Sequence, residues 1–219
     1  MKYDFVDIGC CFFDTLLDEY GLESCGLLVE PIPEYYNVLP YSKTVKKECC
    51  AISNINGNIS FTAFVEENVK YLTNKEMKII QNSDNKFKKF VDENGYKFLG
   101  GHSSIFKNKI NKDVLRVSKN TKNINVLSMK FKKLCEKYKI SEIDKLKIDV
   151  EGCEKFILKD ILYLISNNLI KINYIIYEYN HLSDLKVLDK INNIFINKFN
   201  YNLKLKKEGW NTDIHLIKK

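Results

Sequence analysis

The stretch Tyr3-Asp4-Phe5-Val6-Asp7-Ile8-Gly9, followed about 20 residues on by Gly26-Leu27-Leu28-Val29-Glu30-Pro31, decides the reading of this chain. An apolar strand ends in Asp-x-Gly, a short helical stretch intervenes, and a second apolar strand ends in an acid. In a β-α-β unit this layout sets the acid across from the tight strand-to-helix turn, where a carboxylate can accept hydrogen bonds from the two hydroxyls of a ribose.

The alternation continues outward from that unit. Strands are expected at residues 3–8 and 26–30, helices at 14–20 (Asp14 as N-cap, Gly21 beyond the end) and 33–39, and a third strand over Glu48–Ser53. The turn Asn54-Ile55-Asn56-Gly57 leads to a hairpin partner at 58–65. Val114–Val117 and Ile124–Leu127 read as strands, and 129–138 as an amphipathic helix with Phe131, Leu134 and Tyr138 on one face.

A second informative block follows, Ile143-Asp144-Lys145-Leu146-Lys147-Ile148-Asp149-Val150-Glu151-Gly152. Its strand ends at Asp149, and the helix after it turns Ile157, Ile161 and Ile165 inward. The strand Asn173–Glu178 ends again in an acid, and helix 184–198 feeds a closing hairpin of strands 201–206 and 213–217. The expectation is a single domain over 1–219, with residues 66–112, highly charged and weakly periodic, as a lid or substrate-loop insertion.

Composition narrows the function classes. The 219 residues are 45% hydrophobic, enough for one sizeable core, and there is neither an apolar run of membrane-spanning length nor a secretory leader pattern. The seven cysteines include the adjacent pairs Cys10-Cys11 and Cys49-Cys50 and no C-x-x-C spacing, which points to reduced thiols and a cytoplasmic protein. The net charge is +7, but Arg116 is the only arginine, so the planar fork used to read bases and phosphates is nearly absent, which argues against nucleic acid as a partner.

Four acids, Asp7, Glu30, Asp149 and Glu178, fall at strand carboxyl ends, where ligands bind in open α/β sheets. The first turn, Gly9-Cys10-Cys11-Phe12-Phe13, keeps only the first glycine of a G-x-G-x-x-G fingerprint, and Cys11, Phe13 and Asp14 oppose a pyrophosphate. S-adenosylmethionine fits better: it has no phosphate, offers a ribose to Glu30, and carries an ammonium and a sulfonium that acids favour.

The blocks Val6-Asp7-Ile8-Gly9, Leu28-Val29-Glu30-Pro31-Ile32, Ala51–Gly57 and Leu146-Lys147-Ile148-Asp149-Val150-Glu151-Gly152-Cys153-Glu154 resemble, in this order, the FkbM-type methyltransferases. The resemblance implies a Rossmann-like class I methyltransferase fold: a seven-stranded, mostly parallel sheet with a C-terminal antiparallel hairpin and helices on both faces. It implies S-adenosylmethionine as donor and O-methylation of a hydroxyl on a sugar, glycan or small molecule. Asp7, Gly9, Cys10 and Cys11 would face the methionine part, Glu30 the ribose, Pro31 and Ile32 the adenine, and Ser53 or Asn54 its far edge. Asp149 and Glu151 would lie at the reacting centre, with Asp149 the first choice of base.

Glu151 is read either as catalytic or as a charge stabilising a helix N-terminus, and the Asp149–Glu151 pair also suits metal ligation, although no metal site is assigned. His102, in Gly101-His102-Ser103-Ser104, is the histidine that a loop could carry into the site; His181 could line the acceptor pocket, and His215 and Trp210 read as structural. Two features depart from the family pattern: Phe13 stands where a second glycine is usual, and the chain starts almost on its first strand, leaving the cofactor less covered. The other readings are a weakly active or inactive binding protein that keeps the fold, and an RNA methyltransferase. A homo-oligomer is left open.

Overall fold

The computed structural model describes residues 1–11, 15–64, 121–179, 182–208 and 211–219. Its larger sheet is built from β1 (Lys2–Ile8), β2 (Gly26–Val29), β3 (Val45–Glu48), β7 (Glu142–Ile148), β8 (Lys171–Glu178), β9 (Tyr201–Glu208) and β10 (Asn211–Lys218). The strand order is β3-β2-β1-β7-β8-β10-β9. The pairings from β3 across to β8 are parallel, whereas β10 runs antiparallel to both β8 and β9. This is the mixed α/β architecture with a mostly parallel sheet expected from the alternating pattern.

The β1 and β7 strands, far apart in the chain, lie side by side, with Lys2 opposite Glu142. Chain order reverses on either side of β1: β2 pairs on one flank and β7 on the other. That is the switch point at which parallel sheets open a crevice at their carboxyl ends.

Helices α3 (Phe131–Tyr138), α4 (Glu154–Ser166) and α5 (Leu185–Phe199) supply the main core with Phe131, Leu134, Ile157, Leu158, Ile161, Leu188, Ile191 and Phe195. They cover the sheet face carrying Val6, Ile8, Leu146, Ile148, Ile175 and Tyr177. The short α1 (Leu17–Tyr20) packs on the other face, where Leu16 and Leu17 meet Phe5 and Leu28. Asp184 caps α5 by accepting the Val187 N–H, and α3 and α5 each end on a left-handed residue, Lys139 and Asn200. The helix α2 (Pro33–Val38) starts with proline in its first turn.

Two sequence expectations are corrected around residues 45–64. The third strand expected over Glu48–Ser53 is two: β3 ends at Glu48, and β4 (Ala51–Ile52) belongs to a second, three-stranded sheet. β5 (Gly57–Phe64) is not a hairpin partner of β4; both flank β6 (Thr121–Met129), β4 in parallel and β5 antiparallel. An apolar run keeps its pattern while the chain passes from one sheet to another, so periodicity could not locate the break. Among the described residues β3 is an edge strand, and it carries Lys46 and Lys47, the usual protection of a sheet edge.

The strand expected at Val114–Val117, the insertion 66–112, Phe13, Asp14, His102, His181 and Trp210 lie outside the described residues. Among the described residues no helix is long and apolar enough to cross a membrane.

Tight packing at the start of β2 gives a direct test. Gly26 pairs with Phe5 across β1 and β2, and a Cβ placed on it would lie 2.2 Å from the Phe5 ring. Gly26→Ala is expected to destabilise the fold by about 1–3 kcal/mol through overpacking, read as a lowered urea midpoint; an unchanged midpoint would contradict this packing.

Candidate active site at the carboxyl ends of the central strands

Three turns meet where β1, β2 and β7 end. The first leaves β1 at Gly9, whose φ is +77° and whose N–H donates to the Val29 carbonyl at 2.9 Å. A Cβ on Gly9 would lie 1.7 Å from the Asp149 carbonyl oxygen, so only glycine lets the β1 and β7 turns touch here. Beyond it, Cys11 adopts φ +51° and turns its N–H toward Glu30.

Glu30 is 3% exposed, and both its oxygens are engaged: Oε2 accepts the Cys11 N–H at 2.9 Å and Oε1 the Ile32 N–H at 2.8 Å. Burial pushes its carboxyl up to about 8, against the pull of these two amides and with Asp7 and Asp149 adding to the rise. Each oxygen keeps a further position for a hydrogen bond with a ligand hydroxyl, as acceptor or, on the oxygen that carries the proton, as donor.

The third turn, after β7, has left-handed backbone at Glu151 (φ +50°) and positive φ at Gly152 (+108°). Asp149, Glu151 and Glu178, the last at the end of the neighbouring β8, each bring one carboxylate oxygen within 4.8 Å of the other two. Such spacing suits proton sharing between carboxylates and also the ligation of a hard cation. Removal from water is the first cause that raises the Asp149 carboxyl above its ordinary value; Lys147 pulls it down, and Glu154, Asp213 and Asp7 push it up.

Between the turns lies a cavity with about 520 Å³ of empty space, its open mouth included. Among the described residues its lining includes three carboxylates (Glu30, Asp149, Glu151) and no lysine or arginine, with an apolar wall of Ile32, Ala51, Ile52 and Phe61. A lining of this composition favours a cationic ligand with an apolar portion and disfavours a phosphate.

The residues singled out from the sequence divide into two groups. Gly9, Cys11, Glu30, Pro31, Ile32, Ser53, Asp149 and Glu151 all line the cavity. Asp7, Cys10 and Asn54 are not among its lining residues. The fully buried Asp7 carboxylate accepts the Leu16 N–H at 2.8 Å, and Cys10 is buried in the small core with Leu16 and Leu17. Asn54 is exposed, while its neighbour Ser53 is held beneath the surface by a 2.7 Å hydrogen bond between the Ser53 and Ser128 hydroxyls.

Phe61, Cys50 and Cys153 also line the cavity, and the sequence did not point to them there. Phe61 arrives from β5 through the pairing of β5 with β6, a contact between distant segments that no local pattern signals. Glu178 was legible only as one more strand-end acid; its convergence on Asp149 follows from the parallel pairing of β7 and β8.

The raised Glu30 carboxyl makes stability depend on pH. Because the folded chain holds this proton more tightly than the unfolded chain, the contribution is fully present below about 4.5 and is lost as pH rises through about 8. The ligand-free protein is therefore expected to lose stability over that interval, by a few kcal/mol at most, since a tenfold change in proton affinity is worth about 1.4 kcal/mol. Glu30→Gln should flatten part of the fall in denaturation midpoints; equal slopes in both proteins would contradict the assigned burial.

No curated protein and no solved structure gives a significant match to the chain. Residues 7–203 match the family model of the methyltransferase FkbM domain, a span running from the first strand-end acid to the closing hairpin. With nearly all of its length inside that match, the chain belongs to the FkbM methyltransferase family.

Proposed function

We propose that the protein is an S-adenosylmethionine-dependent O-methyltransferase acting on a hydroxyl of a sugar, glycan or small molecule. The observation that carries the reading is the cavity lining: among the described residues it holds three carboxylates and no basic side chain, and its buried Glu30 accepts the N–H groups of Cys11 and Ile32. Family membership adds the methyl transfer itself and with it a methyl donor.

The residues present fit such a donor. Glu30 accepts hydrogen bonds from the ribose hydroxyls, and Ile32, Ala51, Ile52 and Phe61 offer an apolar wall to adenine. Asp149 and Glu151 place negative charge beside the ammonium and sulfonium. When bound, the donor supplies a methyl group already activated by the positive sulfur.

The protein's remaining tasks are to align the acceptor oxygen and to take its proton. Asp149 suits the second task, because a carboxyl raised toward neutrality is a better proton acceptor for a hydroxyl than an ordinary surface carboxylate. Glu151 and Glu178 lie within 4.8 Å of it and can accept hydrogen bonds from a polyhydroxy acceptor, holding one hydroxyl beside Asp149.

Calorimetry with S-adenosylmethionine tests the donor. The parent chain is expected to bind it, and Glu30→Ala to weaken binding by about 10- to 100-fold, as befits the loss of two hydrogen bonds to a buried group; no binding by the parent would overturn the reading. Asp149→Asn, which also removes one of the charges beside the sulfonium, is expected to weaken donor binding by about tenfold at most and, at saturating donor, to lower methyl transfer to hydroxylated acceptors by about 100-fold or more. Transfer from a radiolabelled donor to a panel of glycans and hydroxylated small molecules measures this.

A further inference from the structure

Glu154 opens α4 and is fully buried, which is costly for a carboxylate unless its oxygens are occupied. They are occupied by two different loops. Oε1 accepts the N–H groups of Val150 and Gly152, each at 3.2 Å, and Oε2 accepts the Gly152 N–H at 3.0 Å together with the Ser183 hydroxyl. Val150 and Gly152 belong to the turn after β7; Ser183, 4% exposed, lies between β8 and α5.

We propose that Glu154, with Ser183, is a positioning clamp that ties the turn carrying Asp149 and Glu151 to the loop that follows Glu178, and so sets the spacing of the three carboxylates. Three acids within 4.8 Å repel one another, so their convergence has to be imposed by the backbone that bears them. Positive φ at Glu151, a residue with a side chain, is a conformation that needs such support, and the Glu154 carboxylate provides it through the two N–H groups flanking Glu151. A glutamate acting only on the helix dipole could do so from the surface; the burial of Glu154 and its bond to Ser183 serve no such purpose. Its negative charge also faces Asp149 and adds to the forces that keep that carboxyl protonated to higher pH.

The clamp is a feature of the fold, while its consequence for ligand affinity rests on the proposed methyltransferase site; the two are separable by experiment. Hydrogen exchange followed by mass spectrometry on the full chain, with Ser183→Ala and Ser183→Thr, tests the clamp. Ser183→Ala is expected to speed exchange of the amides at 150–152 by about tenfold while leaving β1 unchanged, and Ser183→Thr, which keeps the hydroxyl, to restore the parent rate. Unchanged exchange at 150–152, an equal rise in β1, or failure of threonine to restore protection would overturn the proposal.

Calorimetry with S-adenosylhomocysteine supplies the functional arm, with affinity weakened about three- to tenfold in Ser183→Ala and recovered in Ser183→Thr; full affinity in Ser183→Ala would overturn the positioning role. If the parent binds no S-adenosylhomocysteine, the proposed function fails, and the exchange measurement still decides the clamp. Glu154→Gln, which replaces one acceptor oxygen by a donor facing the turn amides, is expected to loosen 150–152 further; should it not fold, the Ser183 pair decides alone.

Discussion

Carboxylates gathered out of water at one end of a parallel sheet are the constraint on which the rest of this structure depends. Asp7, Glu30, Glu151, Glu154 and Glu178 are all buried at or beside the ends of β1, β2, β7 and β8. Burial of like charges opposes folding, and the chain meets this by giving individual acids backbone N–H partners: Leu16 for Asp7, Cys11 and Ile32 for Glu30, Val150 and Gly152 for Glu154. The amides of Cys11, Val150 and Gly152 belong to tight turns, with positive φ at Gly9, Cys11, Glu151 and Gly152. The irregular backbone of the site and its charge are thus parts of one arrangement.

Within that arrangement the acids divide by function. Asp7 and Glu154 are fully buried and serve the turns around them, whereas Glu30, Asp149 and Glu151 face the cavity. The large sheet supplies these polar groups from its strand ends. The small sheet of β4, β5 and β6 supplies much of the apolar wall through Ala51, Ile52 and Phe61, and its own packing reaches Ile32 and Tyr35. A ligand with a polar, charged part and an apolar ring is matched by two sheets with different inner surfaces.

Much of this could be read in the residues. The Asp-x-Gly turn, the acid after β2 and the Asp149–Glu154 block pointed to the cavity because each is a local pattern: a strand, a turn residue and an acid within a few positions. The reading failed where strand partners were distant. Nothing in Glu48–Ser53 tells that the chain leaves one sheet after Glu48 and joins another at Ala51, since that strand pairs with Ser128 and Met129, far along the chain. Likewise Asn54, beside Ser53 in the chain, is turned out to solvent, and one residue in an irregular turn is enough to reverse the direction of a side chain.

The sequence by itself determined the α/β class, the succession of strands that end in acids, and the family, because apolar periodicity, turn glycines and short acidic blocks act over a few residues. Only the tertiary structure decided which acids share a space and which merely hold a turn. Asp7 and Asp149 look alike as strand-end aspartates, yet one caps a buried amide and the other faces the cavity. That difference arises from the lateral order of β2, β1, β7 and β8 and from the contact between Gly9 and the Asp149 carbonyl, which join segments far apart in the chain.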